Sequence, residues 1–384
     1  MKRFFCLFSV FLALFSQMLF LGESNVKYAN ILSLFVIPSF ISTIDGRGID
    51  FSFQIKTMFF LIVYFLVSYI WSDSQSFITF DQYKILFFTL IFLICIHNIL
   101  IKYKTIAPVM IALWAITVFN FMIFIDIIPQ NLFFEFEYWE LRFYGTFNNP
   151  NIGAISFSFA LFFADFTLLK FKKNNILKTL LILIMILSFV LVVATASKKG
   201  ILLLSIFFIY KVFKLKKSSF KNVLLVLLVF VISVQFIDLT LIDKVFDSSF
   251  ARVNKFITET RTSSGTDRST QQRFFYLKEG LTGFFDSPLV GHGFRSFKAK
   301  YGNYSHNNYV ELLYCGGLII FIIYYLMYIK LYKQSLIHNI SAVKIITLFS
   351  IMSFLTIDLA AVTYLSKNVQ YIICTLFVLN YNEN

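Results

Sequence analysis

Long apolar runs recur along this chain, separated by short polar connections. They cover residues 4–21, 29–44, 55–71, 85–101, 105–128, 151–169, 176–195, 200–213, 220–242, 309–329, 342–362 and 368–380. A helix of roughly 17–25 apolar residues crosses a bilayer core, so the pattern predicts about eleven or twelve membrane spans. The range reflects the shortness of the runs at 200–213 and 368–380. Two polar stretches interrupt the pattern, a shorter one at 129–150 and a long one at 243–308. The expected fold class is an all-α integral membrane protein, one polytopic domain over 1–384 with 243–308 as its single long loop.

Lys2 and Arg3 precede the first run, as in a signal peptide. No small-x-small cleavage pattern follows, since the run ends Phe20-Leu21-Gly22-Glu23, and an uncleaved first span is expected. Basic residues in short loops set orientation. With the N-terminus inside, the inner connections hold Lys102 and Lys104, then Lys170, Lys172, Lys173 and Lys178. Further along they hold Lys211, Lys214, Lys216, Lys217 and Lys221, and finally Lys330, Lys333 and Lys344. The short outer connections hold fewer: Lys27, Lys84, Arg142, Lys198, Lys199 and Lys367. Both termini are therefore expected in the cytoplasm. Arg142, Lys198, Lys199 and the long loop then share the extracytoplasmic face.

Composition narrows the class. Of 384 residues 58% are hydrophobic and 52 are Phe, and the mean hydropathy is +0.77. A soluble domain does not carry so many long apolar runs. The net charge of +14 is mostly the inner belt of Lys and Arg, suited to anionic lipid headgroups rather than nucleic acid. The four cysteines show neither a disulfide framework nor metal spacing. No internal repeat, phosphate-binding glycine loop, dinucleotide fingerprint or zinc motif is visible, so no metal and no cofactor is expected.

Within the long loop, residues 258–270 are rich in Ser and Thr. From Gln271 to Phe285 the residues Phe274, Phe275, Leu277, Leu281, Phe284 and Phe285 follow a helical spacing. This predicts an amphipathic helix on the outer membrane surface. Pro288 ends it, and Gly291-His292-Gly293-Phe294 predicts a turn. The loop closes on Ser305-His306-Asn307-Asn308-Tyr309-Val310-Glu311, which runs straight into an apolar span.

These residue types suit one chemistry. An imidazole at the mouth of a span changes charge near physiological pH and can take a proton from a sugar hydroxyl. Arg142, Lys198, Lys199 and Arg273 are cations at the membrane surface. A guanidinium holds a phosphate through two hydrogen bonds, and an ammonium acts as a point charge. Together they fit a lipid-linked pyrophosphate, whose departure needs its developing charge stabilised. Each also has a plainer reading, as an interfacial anchor or a solvated helix face. His97 and Asp165 read as packed structural residues, and His292 as part of its glycine turn. Asp358 reads as paired with a cation or Tyr364, or as shaping an acceptor pocket.

Three patches together resemble the O-antigen polymerase/ligase superfamily. Arg142-Phe143-Tyr144-Gly145-Thr146-Phe147-Asn148-Asn149-Pro150-Asn151 resembles its Arg-x-x-Gly-x-Phe-x-Asn-Pro-Asn start of a span. Thr195-Ala196-Ser197-Lys198-Lys199-Gly200 resembles its short Ser-Arg turn, with Lys198 where Arg is usual. The third runs from Arg273 through Ser287-Pro288-Leu289-Val290-Gly291-His292-Gly293 to His306-Asn307, Tyr309, Glu311 and Gly316-Gly317. The resemblance covers roughly 142–330. It implies a helical, polyprenyl-phosphate-using (GT-C-like) glycosyltransferase, metal-independent and inverting, in a bacterial inner membrane. Its substrate would be undecaprenyl-pyrophosphate-linked oligosaccharide, with a chain-length regulator as a candidate partner. His306 would be the base and Arg273 the loop arginine on the pyrophosphate. Arg142, Lys198, Lys199, Asn151, Asn307 and Glu311 would bind substrate. The expected function is a polymerase of O-antigen or capsule repeat units. A ligase moving finished glycan to lipid A core or protein, and a flippase of the lipid-linked repeat, are the alternatives.

Overall fold

The computed structural model describes residues 1–19, 26–44, 48–72, 80–129, 143–147, 149–170, 174–214, 268–337 and 341–382. Among them the regular structure is helical, with no strand. The expected span at 220–242 lies outside the described residues, as do residues 243–267 of the long loop and Arg142.

Fourteen α-helices are described. They are α1 (Lys2–Leu19), α2 (Val26–Ser33), α3 (Val36–Ile41), α4 (Phe53–Val67), α5 (Phe80–Lys102), α6 (Ala107–Phe124) and α7 (Pro150–Lys170). After them come α8 (Asn175–Ala194), α9 (Lys198–Lys214), α10 (Arg268–Asp286), α11 (Ser296–Tyr301), α12 (Asn308–Ile337), α13 (Ser341–Asp358) and α14 (Lys367–Asn382). Seven stretches among the described residues are long and apolar enough to span a bilayer: Lys2–Leu19, Phe53–Ile70, Tyr83–Lys102, Ala107–Phe124, Pro150–Lys170, Asn175–Ala194 and Asn308–Ile337. The chain is thus an all-α integral membrane protein. The run read as one span at 29–44 is two short helices, α2 and α3, because residues 34–35 turn between them.

The chain forms two compact units. The first comprises Met1–Val10, Phe35–Ile106 and Gly265–Asn384; the second comprises Phe11–Leu34 and Ala107–Ser264. In the first, α5 packs on α3, α4 and α14, and α12 packs on α4, α10, α11, α13 and α14. Gln54 of α4 donates to the backbone oxygen of Gln370 on α14 at 2.7 Å, so a buried polar side chain bridges two helices. In the second, α7 is nearly enclosed by α6, α8 and α9. Its inward side chains are small or aromatic, including Ala154, Ser158, Ala160 and Phe162. Asp165 of α7 pairs with Lys211 of α9, and His97 of α5 is buried beside Cys374 of α14.

The apolar run from 309 to 329 reads as one straight helix, yet α12 breaks at Gly317 (φ 63°, ψ −167°). Only glycine adopts this region without large cost. A Cβ on Gly317 would lie 2.2 Å from the carbonyl oxygen of Leu289. The break exposes backbone groups that the Pro288–Gly293 turn then satisfies. Leu318 and Ile319 N–H donate to Pro288 and Leu289 carbonyls at 2.9 and 3.3 Å, and His292 and Gly293 N–H donate to Tyr314 and Cys315 carbonyls at 2.9 Å. Gly291 (φ 64°) sits so close that a Cβ would meet the Cys315 carbonyl carbon at 2.6 Å. Gly317→Ala is therefore expected to lose about 1–3 kcal/mol from backbone strain alone. Thermal unfolding in detergent and the steady-state membrane level both measure it.

Candidate functional site

The mouth of α12 is built by short-range polar bonds. Asn307 caps the helix, its Oδ1 accepting from Tyr309 and Val310 N–H at 3.0 and 3.2 Å. Its Nδ2 donates to the Leu359 carbonyl at 3.3 Å. Ser305 Oγ donates to the Asn307 carbonyl at 2.7 Å. One turn into the helix, Glu311 is 2% exposed and accepts the Ser305 N–H at 2.8 Å. Between these two braced residues His306 takes a left-handed backbone conformation (φ 60°). Histidine tolerates this region better than most residues, and such outliers cluster at functional sites.

Two tyrosines frame the imidazole. The Tyr304 ring centroid lies 4.3 Å from that of His306, and the Tyr276 ring lies 6.2 Å away and nearly parallel. Tyr276 comes from α10, which runs alongside the first limb of α12. The contact is close because Gly280 and Gly283 present no side chain: a Cβ on them would meet Val310 at 2.2 Å and Tyr314 at 2.4 Å. Arg273 precedes Tyr276 by three residues, so it lies on the same side of α10, next to the loop. Its side chain is exposed. Desolvation raises the Tyr304 phenol above its ordinary value, the Arg273 charge lowers it and the Glu311 charge raises it. Tyr304 thus feels the Arg273 charge while its ring packs against His306. Beneath them Phe297 stacks edge-on with Tyr276 and Tyr314, at 5.6 and 5.2 Å, and forms an aromatic floor.

A second polar layer lies behind the loop. Asn308 is fully buried. Its Oδ1 accepts from Thr363 N–H at 2.9 Å and its Nδ2 donates to Tyr325 Oη at 3.2 Å. Tyr325 Oη donates in turn to Asp358 at 2.9 Å, and Thr363 Oγ1 donates to the other carboxylate oxygen. Asp358 is thus held by hydroxyls, whereas a cation or Tyr364 was expected. The available signal was an aspartate at the end of an apolar run, too costly in lipid to lack donors. Its partners, 33 and 5 residues away, follow no local pattern. His292 is a packing residue: its Nε2 lies 2.8 Å from the Gly283 carbonyl and its ring stacks on Tyr314 at 4.6 Å.

The second unit holds the other expected residues. Asn149 Oδ1 accepts the Asn151 N–H at 2.8 Å at the start of α7. Asn151 Oδ1 accepts from Ser197 Oγ at 2.7 Å, and Ser197 Oγ accepts the Gly200 N–H at 3.4 Å. Ser197 thus caps α9 while tying it to α7, and Lys198 and Lys199 occupy the first turn of α9. Lys198 is exposed and Lys199 half-buried. Two ammonium groups at a helix N-terminus add to its positive dipole end, an arrangement that attracts anions. Asn120 secures the preceding turn by accepting the Thr146 N–H at 2.8 Å. A Cβ on Gly145 would strike that oxygen at 1.8 Å.

Geometry separates the site residues by what they touch. Arg273 and His306 both neighbour Tyr304, while the Glu311 carboxylate and the Asn307 amide bond the loop and the start of α12. Glu311, expected to bind substrate, holds the Ser305 N–H through its carboxylate. Among the described residues no group of three His, Cys, Asp or Glu side chains is arranged to hold a metal ion. Glu311→Ala is expected to cost about 1.5–3 kcal/mol in loop-holding hydrogen-bond energy. Thermal unfolding in detergent, compared at equal membrane level, measures that loss.

The family described as O-antigen ligase matches residues 183–325. The matched segment contains the Ser197-Lys198-Lys199 turn, Arg273, the Pro288–Gly293 turn and the His306 loop. The Arg142–Asn151 patch lies before it. No curated protein matches the chain.

Proposed function

From the match of residues 183–325 to the family described as O-antigen ligase, we propose that this protein belongs to the O-antigen polymerase/ligase superfamily and polymerises surface polysaccharide. It takes a growing glycan from undecaprenyl pyrophosphate and joins it to the non-reducing end of another lipid-linked repeat unit. The observation that carries this reading is the His306 loop, where an imidazole packs on a phenol that feels the Arg273 charge, at the mouth of a membrane helix.

In the proposed step His306 accepts the proton of the acceptor hydroxyl. The acceptor oxygen attacks the anomeric carbon of the donor and forms the new C–O bond. The C–O bond to pyrophosphate breaks, undecaprenyl pyrophosphate leaves, and the anomeric centre inverts. Arg273 stabilises the charge that develops on the leaving phosphate, and no metal is required for that role. Arg142, Lys198, Lys199 and Asn151 are proposed as further donor-binding groups. Lys198 keeps the charge of the arginine usual at its position and lacks the two-pronged grip. The site faces the extracytoplasmic side of a bacterial inner membrane, with both termini in the cytoplasm.

A second reading, ligation of finished glycan to lipid A core or protein, is favoured by the description of the matching family as an O-antigen ligase. Cells lacking the gene separate the readings by their surface polysaccharide and lipid-linked intermediates. Single repeat units on the surface without a ladder are the polymerase result. Long polymer retained on undecaprenyl pyrophosphate indicates a ligase. Repeat units held on the inner leaflet would sink both and indicate transport.

A further inference from the structure

Helices α10 and α11 form a hairpin that turns at residues 287–293. Two span registers locate this turn. Tyr64 Oη donates to the Val290 carbonyl at 2.8 Å and lies 3.3 Å from the Gly316 carbonyl. Tyr64 precedes the end of the apolar stretch Phe53–Ile70 by six residues, about 9 Å of helix. On α12, Gly317 follows Asn308 by nine residues, roughly 13 Å inside the stretch Asn308–Ile337. Both registers put the turn below the end of a membrane-spanning helix.

The turn is built for such a place. Irregular backbone at membrane depth is tolerated only where its polar groups are satisfied. The carbonyls of Pro288, Leu289, Val290 and Gly291 accept from Leu318 N–H, Ile319 N–H, Tyr64 Oη and Ser287 Oγ. The N–H groups of Gly291, His292 and Gly293 donate to Ser287, Tyr314 and Cys315 carbonyls. Its side chains point the other way: Phe285 is 74% exposed, Leu289 63% and Val290 38%. They continue the exposed apolar face of α12, since Leu289 is bonded to Ile319, itself 37% exposed, with Leu318 beside it at 36%.

We propose that residues 287–290 form a re-entrant tip immersed in one leaflet, with lipid acyl chains covering Leu289 and Val290. Lys278 and Asp286 are exposed on α10, which confines insertion to the tip. Arg273 lies thirteen residues back from Asp286, about 20 Å along the helix, and so stands at headgroup level. The tip sets that height. The inference concerns membrane depth, so it and the glycosyl-transfer reading fail separately.

The test uses the full chain in lipid nanodiscs with an environment-sensitive fluorophore on Leu289→Cys, and on Lys300→Cys as the water-side reference. The four native cysteines are buried, and the unsubstituted protein measures their background labelling. The expected result is blue-shifted emission at 289, most of it lost with phospholipids brominated on their acyl chains and retained in aqueous iodide. The fluorophore at 300 should behave oppositely. Iodide quenching at 289 without bromolipid quenching overturns the proposal. Protection from both quenchers overturns it as well, because protein and not lipid then covers the tip. Val290→Cys repeats the measurement if Leu289→Cys does not insert.

Discussion

Replacing His306 by Ala is expected to abolish polymer while the protein remains inserted. Removing a general base typically costs about 10²–10⁴ in rate, enough to erase a glycan ladder. His306 also occupies a left-handed backbone position, where Ala is less at ease than His. His306→Asn separates the two effects, because Asn tolerates that conformation and cannot serve as the base. Both variants should match the unsubstituted protein in membrane level and lose the ladder. Normal polymer from stably expressed His306→Asn removes the base assignment.

Arg273→Ala carries the second-largest expected effect. Losing one donor aimed at developing charge costs about 10²–10³ in turnover. The Arg273 side chain is exposed, so its removal should hardly change stability. Arg273→Lys should recover part of the activity, since charge remains while the paired hydrogen bonds are lost. Turnover with a lipid-linked donor, compared across the three proteins at equal membrane level, reads this out. Equal turnover in Arg273→Ala would make the residue a solvated surface cation.

Much of this architecture was legible in the sequence. Periodicity gave the helix read at 271–285, which runs from 268 to 286, and the start of α12, because an apolar face leaves a local mark. The break at Gly317 left little mark, since Gly316-Gly317 sits in an apolar run that a straight helix fits equally well. The reason for the break lies 28 residues earlier, in the Leu289 carbonyl that forbids a side chain there. Glu311 shows the same limit at the site. Its motif position says nothing of the bond that its buried carboxylate accepts from the Ser305 N–H, six residues back. Asn307 and Asn308 are adjacent and alike in sequence, yet one caps a helix and the other anchors the Tyr325–Asp358–Thr363 cluster. Which neighbour does which depends on helical phase against α13 and the segment before α14, and no local spacing encodes it.

The central claim is that the chain itself forms a glycosidic bond with His306 as base. Purified protein in nanodiscs, given lipid-linked repeat units in a metal-chelating buffer, tests it most directly. The account predicts lengthened lipid-linked glycan, one undecaprenyl pyrophosphate released per bond, and loss of both in His306→Asn. Absence of transfer by the unsubstituted protein, or undiminished transfer by His306→Asn, would contradict it.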